Sequence, residues 1–277
     1  MSKTWWRFIK IAFSLLVLLA YPSLALKNNI GGNARISAIG FTQVAGGSEE
    51  SSLLANPASF GSSSFSISLA RTELFSLGVF YNYFESSIRL SPKWRASFCL
   101  ETLEDEDIVD NSGYCQKSIV VGLTNKINER LQIGVSINDS RSKHFDEAMG
   151  SGKALSFGLK AGLWDIGKAR FDAGVKVENL VSFKEYESGR KETPEKNIVL
   201  GFGIGSGNRI YALDLAKDSI RCGFEYKISE LLNLRAGFVD GQLTTGIGIR
   251  NGYIKFDYAY WLASAGVTQR LGTTFSF

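Results

Sequence analysis

Histidine is nearly absent from this chain, with one residue in 277; proline comes to four and cysteine to three. Hydrolytic chemistry asks for a histidine poised beside a nucleophile, or for several ligands around a metal. The single His144 sits with Ser142 and Asp146 in the charged stretch Asp139–Gly152, which reads as a solvated loop. Cys99, Cys115 and Cys222 allow one disulfide at most, and their spacing fits no metal site. Cys99 and Cys222 fall on opposite faces of expected strands, so the cysteines read as small packing residues. Glycine-rich Gly201–Gly207 lies on a strand and its turn with no helix after it, which argues against a phosphate loop. An enzyme is not expected, and neither a cofactor nor a bound metal is implied.

Strong charge of one sign is missing too. The formal charge is +4, and loss of Lys3, Arg7 and Lys10 with residues 1–25 would bring it to +1. That excludes the basic footprint of a nucleic-acid binder. Long apolar runs are confined to the N-terminus. Beyond residue 25 nothing reaches the ~18 consecutive apolar residues of a membrane helix.

What is present begins with that N-terminus. Lys3, Arg7 and Lys10 precede an apolar run over Ile11–Ala20, and Pro22 with Ser23-Leu24-Ala25 supplies a break and a small-residue cleavage site. This is the pattern of a secretory signal peptide cut near Ala25. Glycine (29), phenylalanine (19) and tyrosine (10) are plentiful, and 44% of the residues are hydrophobic. That content is spread as alternation.

Apolar residues recur at every second position from Phe65-Ile67-Leu69 through Leu131-Ile133-Val135-Ile137 to Ile254-Phe256-Tyr258-Tyr260. Counting such segments gives about fourteen strands, an even number as in single-chain outer-membrane barrels. For the second strand the rule takes Phe75, Leu77, Val79, Tyr81 and Tyr83 as the apolar face. Long connections at roughly 105–114, 140–152 and 180–196 follow odd-numbered strands, and short links follow even ones. A barrel with long loops on one side requires that parity; a soluble sandwich does not. The link at Glu85–Lys93 is the exception.

The last segment shows the same alternation most clearly. Val267, Leu271, Phe275 and Phe277 share one face, while Thr268, Arg270, Thr274 and Ser276 share the other. Phe275 and Phe277 thus resemble the aromatic signal by which closing strands are read by the outer-membrane assembly machinery. Ionic residues across the chain alternate with apolar partners in the same way: Arg95, Glu101, Asp172, Lys176, Glu178, Arg221, Glu225, Lys227, Arg235, Arg250, Lys255, Asp257 and Arg270. A Lys or Arg facing lipid at mid-bilayer costs about 2–4 kcal/mol, so these charges are expected to face a polar lumen. A soluble secreted β-sandwich would carry them as wet surface instead. Glycines on the charged face, among them Gly122, Gly134, Gly158, Gly174, Gly223, Gly237, Gly246, Gly248 and Gly272, leave room for something inside the barrel.

Residues 28–60 do not alternate and are rich in small residues. They read as a compact plug, with a short helix capped by Ser48 and ended by Asn56-Pro57. Within this segment Ala34-Arg35, Ala38, Gly40, Val44-Ala45 and Asn56-Pro57-Ala58 resemble the N-terminal signature of FadL-like outer-membrane barrels. The similarity is greatest to the PorV/PorQ branch, which often reads A-R-x-x-A-M-G-G before N-P-A-G-L. Ile39 and Phe41 depart from that pattern, as do Ser59 and Phe60. Arg235-Ala236-Gly237-Phe238 and Asp257-Tyr258-Ala259-Tyr260 fit the same branch.

The resemblance implies an all-β transmembrane antiparallel barrel of about fourteen strands with a hatch in its lumen. The expected organisation is a signal peptide at 1–25, a hatch with the Asn-Pro-Ala motif at 26–61 and an outer-membrane barrel at 62–277. It further implies transport or secretion across the outer membrane of a Gram-negative-type bacterium. The partners would be outer-membrane lipid, the assembly machinery, and either secretion-system components or a hydrophobic small molecule. The alternative within the family is a FadL-type uptake channel, although 277 residues is short for one.

Overall fold

The computed structural model describes residues 31–42, 44–45, 52–105, 115–144 and 147–277. The expected signal peptide and the expected cap at Ser48 lie outside them. Fourteen antiparallel strands form one closed sheet. They are β1 Phe65–Leu74, β2 Val79–Arg89, β3 Trp94–Asp105, β4 Cys115–Lys126, β5 Leu131–His144, β6 Glu147–Ile166 and β7 Ala169–Tyr186. The second half comprises β8 Asn197–Ser206, β9 Arg209–Ala216, β10 Ser219–Lys227, β11 Leu232–Val239, β12 Gln242–Asn251, β13 Ile254–Ala263 and β14 Gly266–Ser276. A two-residue strand, Lys191–Glu192, adds to the edge of β7. Each strand pairs with its neighbours in sequence, and β14 pairs back onto β1 from Ser66↔Ser276 to Glu73↔Gln269. Closure leaves no unpaired edge, which is how a sheet satisfies every backbone group away from water.

Alternation sorts the side chains by face. Val121, Val135, Ile137, Phe202, Leu234, Phe256 and Leu271 are exposed on the outer wall. Arg95, Arg235, Lys255, Asp257 and Arg270 are buried between them, inside. So large an exposed apolar wall is unusual for a protein facing water and is what a bilayer requires. Introducing Val121→Arg at mid-strand is therefore expected to cost about 2–4 kcal/mol on refolding into lipid vesicles. No measurable loss would mean that this wall does not meet lipid.

At the end of the barrel where β1 starts and β14 finishes, aromatic rings gather. Phe277 stacks between Phe65 and Tyr253, with centroids 6.3 and 5.4 Å away. The Phe277 carbonyl accepts from the amides of Ser64 and Phe65. Turns at this end span two to four residues (90–93, 127–130, 167–168, 207–208, 228–231, 252–253). The longest connections between strands, 106–114 and 187–196, are at the opposite end, as loop parity requires.

Three expectations are corrected. The region 140–152 is not a loop, because β5 runs to His144 and β6, 20 residues long, starts at Glu147. That stretch is rich in Ser and Gly, as suits strands whose rise of ~3.3 Å per residue carries them clear of the apolar layer. The link at Glu85–Lys93 is mostly strand: β2 continues to Arg89, leaving a turn at 90–93. Finally, β2 faces the other way. Phe75 and Leu77 belong to the preceding turn, while Tyr81 and Tyr83 are buried in the lumen at 4% and 3% exposure. Their hydroxyls find carboxylate partners there, which aromatic periodicity alone does not reveal.

The cysteines are unpaired. Cys99 is buried in the lumen cluster with Leu53, Tyr81 and Val120. Cys222 is buried and pairs in register with Leu213 and Phe238.

Candidate functional site

The described residues before β1 lie in the lumen and include a helix that the sequence reading missed, α1 at Ala34–Ala38. Its signals are local. The Asn33 side chain accepts from the Ile36 amide at 3.0 Å, which caps the N-terminus. At the other end Gly40 takes φ +67°, the Gly40 amide donates to Ser37 O, and the Phe41 amide donates to Ile36 O at 2.9 Å. This pair of bonds is the Schellman stop, completed by the apolar contact of Phe41 with Ile36. Only glycine sits comfortably at that left-handed position. Here space forbids anything else, since a Cβ would lie 2.7 Å from both Cys222 O and Phe238 N.

Beyond α1 the described residues 39–42, 44–45 and 52–58 lie against the inner wall, where small residues make room for them. Ala34 and Ala38 pack on Ala259 of β13. The chain passes Gly223 and Gly237 at Ile39-Gly40, Gly174 and Gly201 at Val44-Ala45, Gly122 at Leu53, and Gly134 and Gly158 at Asn56–Ala58. At each of these a Cβ would collide with the plug. Several are cross-strand partners, Gly134↔Gly158, Gly174↔Gly201 and Gly223↔Gly237. The expected room for an internal segment is thus placed where that segment runs. Gly248 is different: it makes space for the Arg235 guanidinium and Asp257 rather than for the plug.

Polar wall groups tie the track down. Asn56 Nδ2 donates to Val44 O at 2.7 Å and to Leu159 O, while its Oδ1 accepts from the Ala58 amide. Pro57 O accepts from Thr124 Oγ1 at 2.7 Å, and Ala58 is fully buried. Asp214 accepts from the Val44 amide, and Glu85 accepts from the Leu53 amide at 3.1 Å. Lys176 reaches Leu54 O and pairs with Glu178 at 2.6 Å. Arg270 donates to Gly32 O at 2.7 Å, and Tyr81 accepts from the Gly32 amide while bonding Glu101. Arg95 bonds Ser63 O and lies over the Phe60 ring. Below α1, Glu225 takes Arg35 at 2.8 Å and Arg235 at 2.7 Å, and Arg235 also pairs with Asp257 at 2.7 Å. Lys255 stands 3.6 Å from Asp257.

The charges expected in the lumen are therefore brought together there, as plug anchors and cross-wall pairs. Arg221 lines the cavity described next, and Arg250 lines the mouth at the opposite end. Sequence reasoning missed Tyr81, Tyr83 and Glu85. The parity of Glu85 with the two tyrosines was the available signal, since a carboxylate on that face cannot meet lipid cheaply.

Between the plug and the long-loop end lies a cavity of about 490 Å3. Its plug side carries Ile36, Phe41, Val44, Leu53 and Leu54; its walls carry Glu101, Ser118, Asn138, Lys176, Glu178 and Arg221. The volume is that of a small-molecule site; the floor is apolar and the walls are mostly polar and charged. Among the described residues no cluster of His, Cys, Asp and Glu could hold a metal.

No family model and no curated protein sequence matches this chain. Solved structures do. The CymD monoaromatic hydrocarbon channel is 11% identical with a TM-score of 0.61, covering 90% of this chain and 98% of its own. The Ralstonia pickettii toluene transporter TbuX is 10% identical with a TM-score of 0.59, covering 90% and 99%. A Pseudomonas aeruginosa FadL homologue is 8% identical with a TM-score of 0.58, covering 88% and 98%. At such identities the likeness is one of fold, and this chain has the fold of FadL-type outer-membrane barrels.

Proposed function

We propose that the protein is an outer-membrane channel that takes up hydrophobic small molecules, with residues 26–61 as a hatch in the barrel formed by 62–277. The observation that carries this reading is the 490 Å3 cavity floored by Ile36, Phe41, Val44, Leu53 and Leu54. An apolar solute entering from the long-loop side would rest on that floor and need the plug to shift before it could pass. The named cargo of the fold neighbours, toluene and monoaromatic hydrocarbons, sets the class to try first. On this reading residues 1–25 are a signal peptide cut near Ala25, and Phe275 and Phe277 serve assembly into the membrane.

Cells lacking their own hydrophobic-compound channels, and expressing this chain, are expected to accumulate radiolabelled toluene several-fold faster than cells without it. Phe41→Asp and Leu53→Asp should remove the gain while leaving the barrel in the membrane fraction. Equal uptake with and without the protein would reject the proposal.

A second reading, a PorV/PorQ-type secretion component, is favoured by the Ala34-Arg35, Gly40 and Asn56-Pro57-Ala58 matches. It would be supported by co-purification with secretion-system proteins and would not require toluene uptake.

A further inference from the structure

The 490 Å3 cavity above the plug has three unlike sides, and the order of strands in the sheet keeps them apart. Its floor is the apolar surface of the plug. The wall formed by β4, β5 and β6 presents Gln116, Ser118, Ser136, Asn138 and Ser156, five polar side chains without charge. Ser136 and Ser156 are cross-strand partners, and two residues away on the same face Gly134 and Gly158 meet the plug, so this row points into the lumen. Gln116, Asn138 and Ser156 stay partly exposed there, with Ser118 and Ser136 buried beside them.

The charged lining residues stand elsewhere, Glu101 on β3 and the rest on β7, β9 and β10. They are engaged with the plug or with one another. Lys176 bonds Leu54 O and pairs with Glu178 at 2.6 Å, and Glu101 bonds Tyr81. Asp214 takes the Val44 amide, and its cross-strand partner Arg221 donates to Ser219 Oγ at 3.1 Å. Among the described residues three carboxylates thus face two cations, which leaves no positive excess to hold an organic anion.

A pure hydrocarbon is rewarded by the floor, but it displaces water from the β4–β6 wall and returns no hydrogen bond to it. A hydroxyl returns both a donor and an acceptor, and serine hydroxyls and carboxamides can use either. A site lined to bond a substrate hydroxyl discriminates strongly against the analogue that lacks it. We propose that the preferred solute is a neutral hydroxylated aromatic of the alkylphenol class. Its ring and alkyl group rest on the plug floor, and its hydroxyl meets the wall of Gln116, Asn138 and Ser156. The inference rests on the uptake reading and narrows its cargo.

The test compares p-cresol, which is toluene with a hydroxyl added, with toluene itself and with p-toluate, which adds a carboxylate instead. Each is supplied radiolabelled at limiting concentration to cells with and without this protein. Protein-dependent uptake of p-cresol is expected to be about ten times that of toluene, with p-toluate slower than both. Ser156→Val and Asn138→Leu should each lower the ratio of p-cresol to toluene uptake several-fold, with heat-modifiable gel migration confirming that each variant is folded. Toluene or p-toluate entering as fast as p-cresol, or a ratio unchanged in both folded variants, would overturn the proposal and leave the uptake reading standing. A gain for none of the three solutes would reject the uptake reading and this one with it.

Discussion

Replacing Arg235 with methionine is expected to lower the unfolding free energy of the barrel by about 3 kcal/mol, the largest single-residue loss in the wall. The Arg235 side chain is fully buried and carries two short ion pairs, to Glu225 and Asp257, each at 2.7 Å. Removing it leaves two buried carboxylates. Glu225 keeps Arg35, but Asp257 is left with Lys255 at 3.6 Å. Breaking a buried pair from one side costs far more than deleting both partners, because one charge is stranded in a low-dielectric site. The double variant Arg235→Met with Asp257→Asn should therefore recover part of the loss. Urea unfolding in lipid vesicles, followed by tryptophan fluorescence, measures both. A loss below about 0.5 kcal/mol for Arg235→Met would show that the pairs are as solvated as surface salt bridges.

Gly40→Val should release the plug while leaving the barrel closed. Two independent costs act at this position. A left-handed backbone penalises any β-branched residue by more than ~1 kcal/mol. The added atoms would also occupy the space of Cys222 O and Phe238 N, backbone atoms of β10 and β11 that cannot move without breaking the sheet. The plug is the softer partner, so α1 lifts away. Arg35, buried at 4% exposure in the native protein, then becomes a trypsin site. Intact protein in vesicles should resist cleavage there, and the variant should be cut at a rate at least ten times higher. Equal resistance would mean that α1 can seat elsewhere in the lumen.

Much of this fold was legible because membrane barrels write themselves in period two. A polar residue at every second position was expected to face a lumen, and Arg95, Glu101, Arg235, Asp257 and Arg270 are the residues that this rule selects. Strand β2 failed for a physical reason. Tyrosine is apolar enough to count as wall, yet Tyr81 and Tyr83 carry hydroxyls that bond Glu101 and Glu85 inside. The long hairpin of β5 and β6 failed for another. Once strands rise past the apolar layer, both faces become polar and the alternation vanishes although the ladder continues.

Residues 28–60 stood out in the sequence as a segment without alternation, but their conformation did not. Their helix is five residues long, too short to show a period, and is fixed instead by Asn33 at one end and Gly40 at the other. The partners of Asn56, Val44 O and Leu159 O, come from distant positions that no local pattern connects. Interior glycines hinted that something occupied the lumen, and the track of contacts from Gly237 to Gly134 now says what.

The central claim is that the segment 31–60, whose residues 31–42, 44–45 and 52–60 lie in the lumen, closes a barrel otherwise wide enough for water. Single-channel recording in planar bilayers tests it most directly. Intact protein should give little or no steady current, and a variant lacking residues 31–60 should conduct continuously, at least about ten times more. A large steady conductance from the intact protein, or none from the deletion variant that still inserts as a heat-modifiable barrel, would contradict the account.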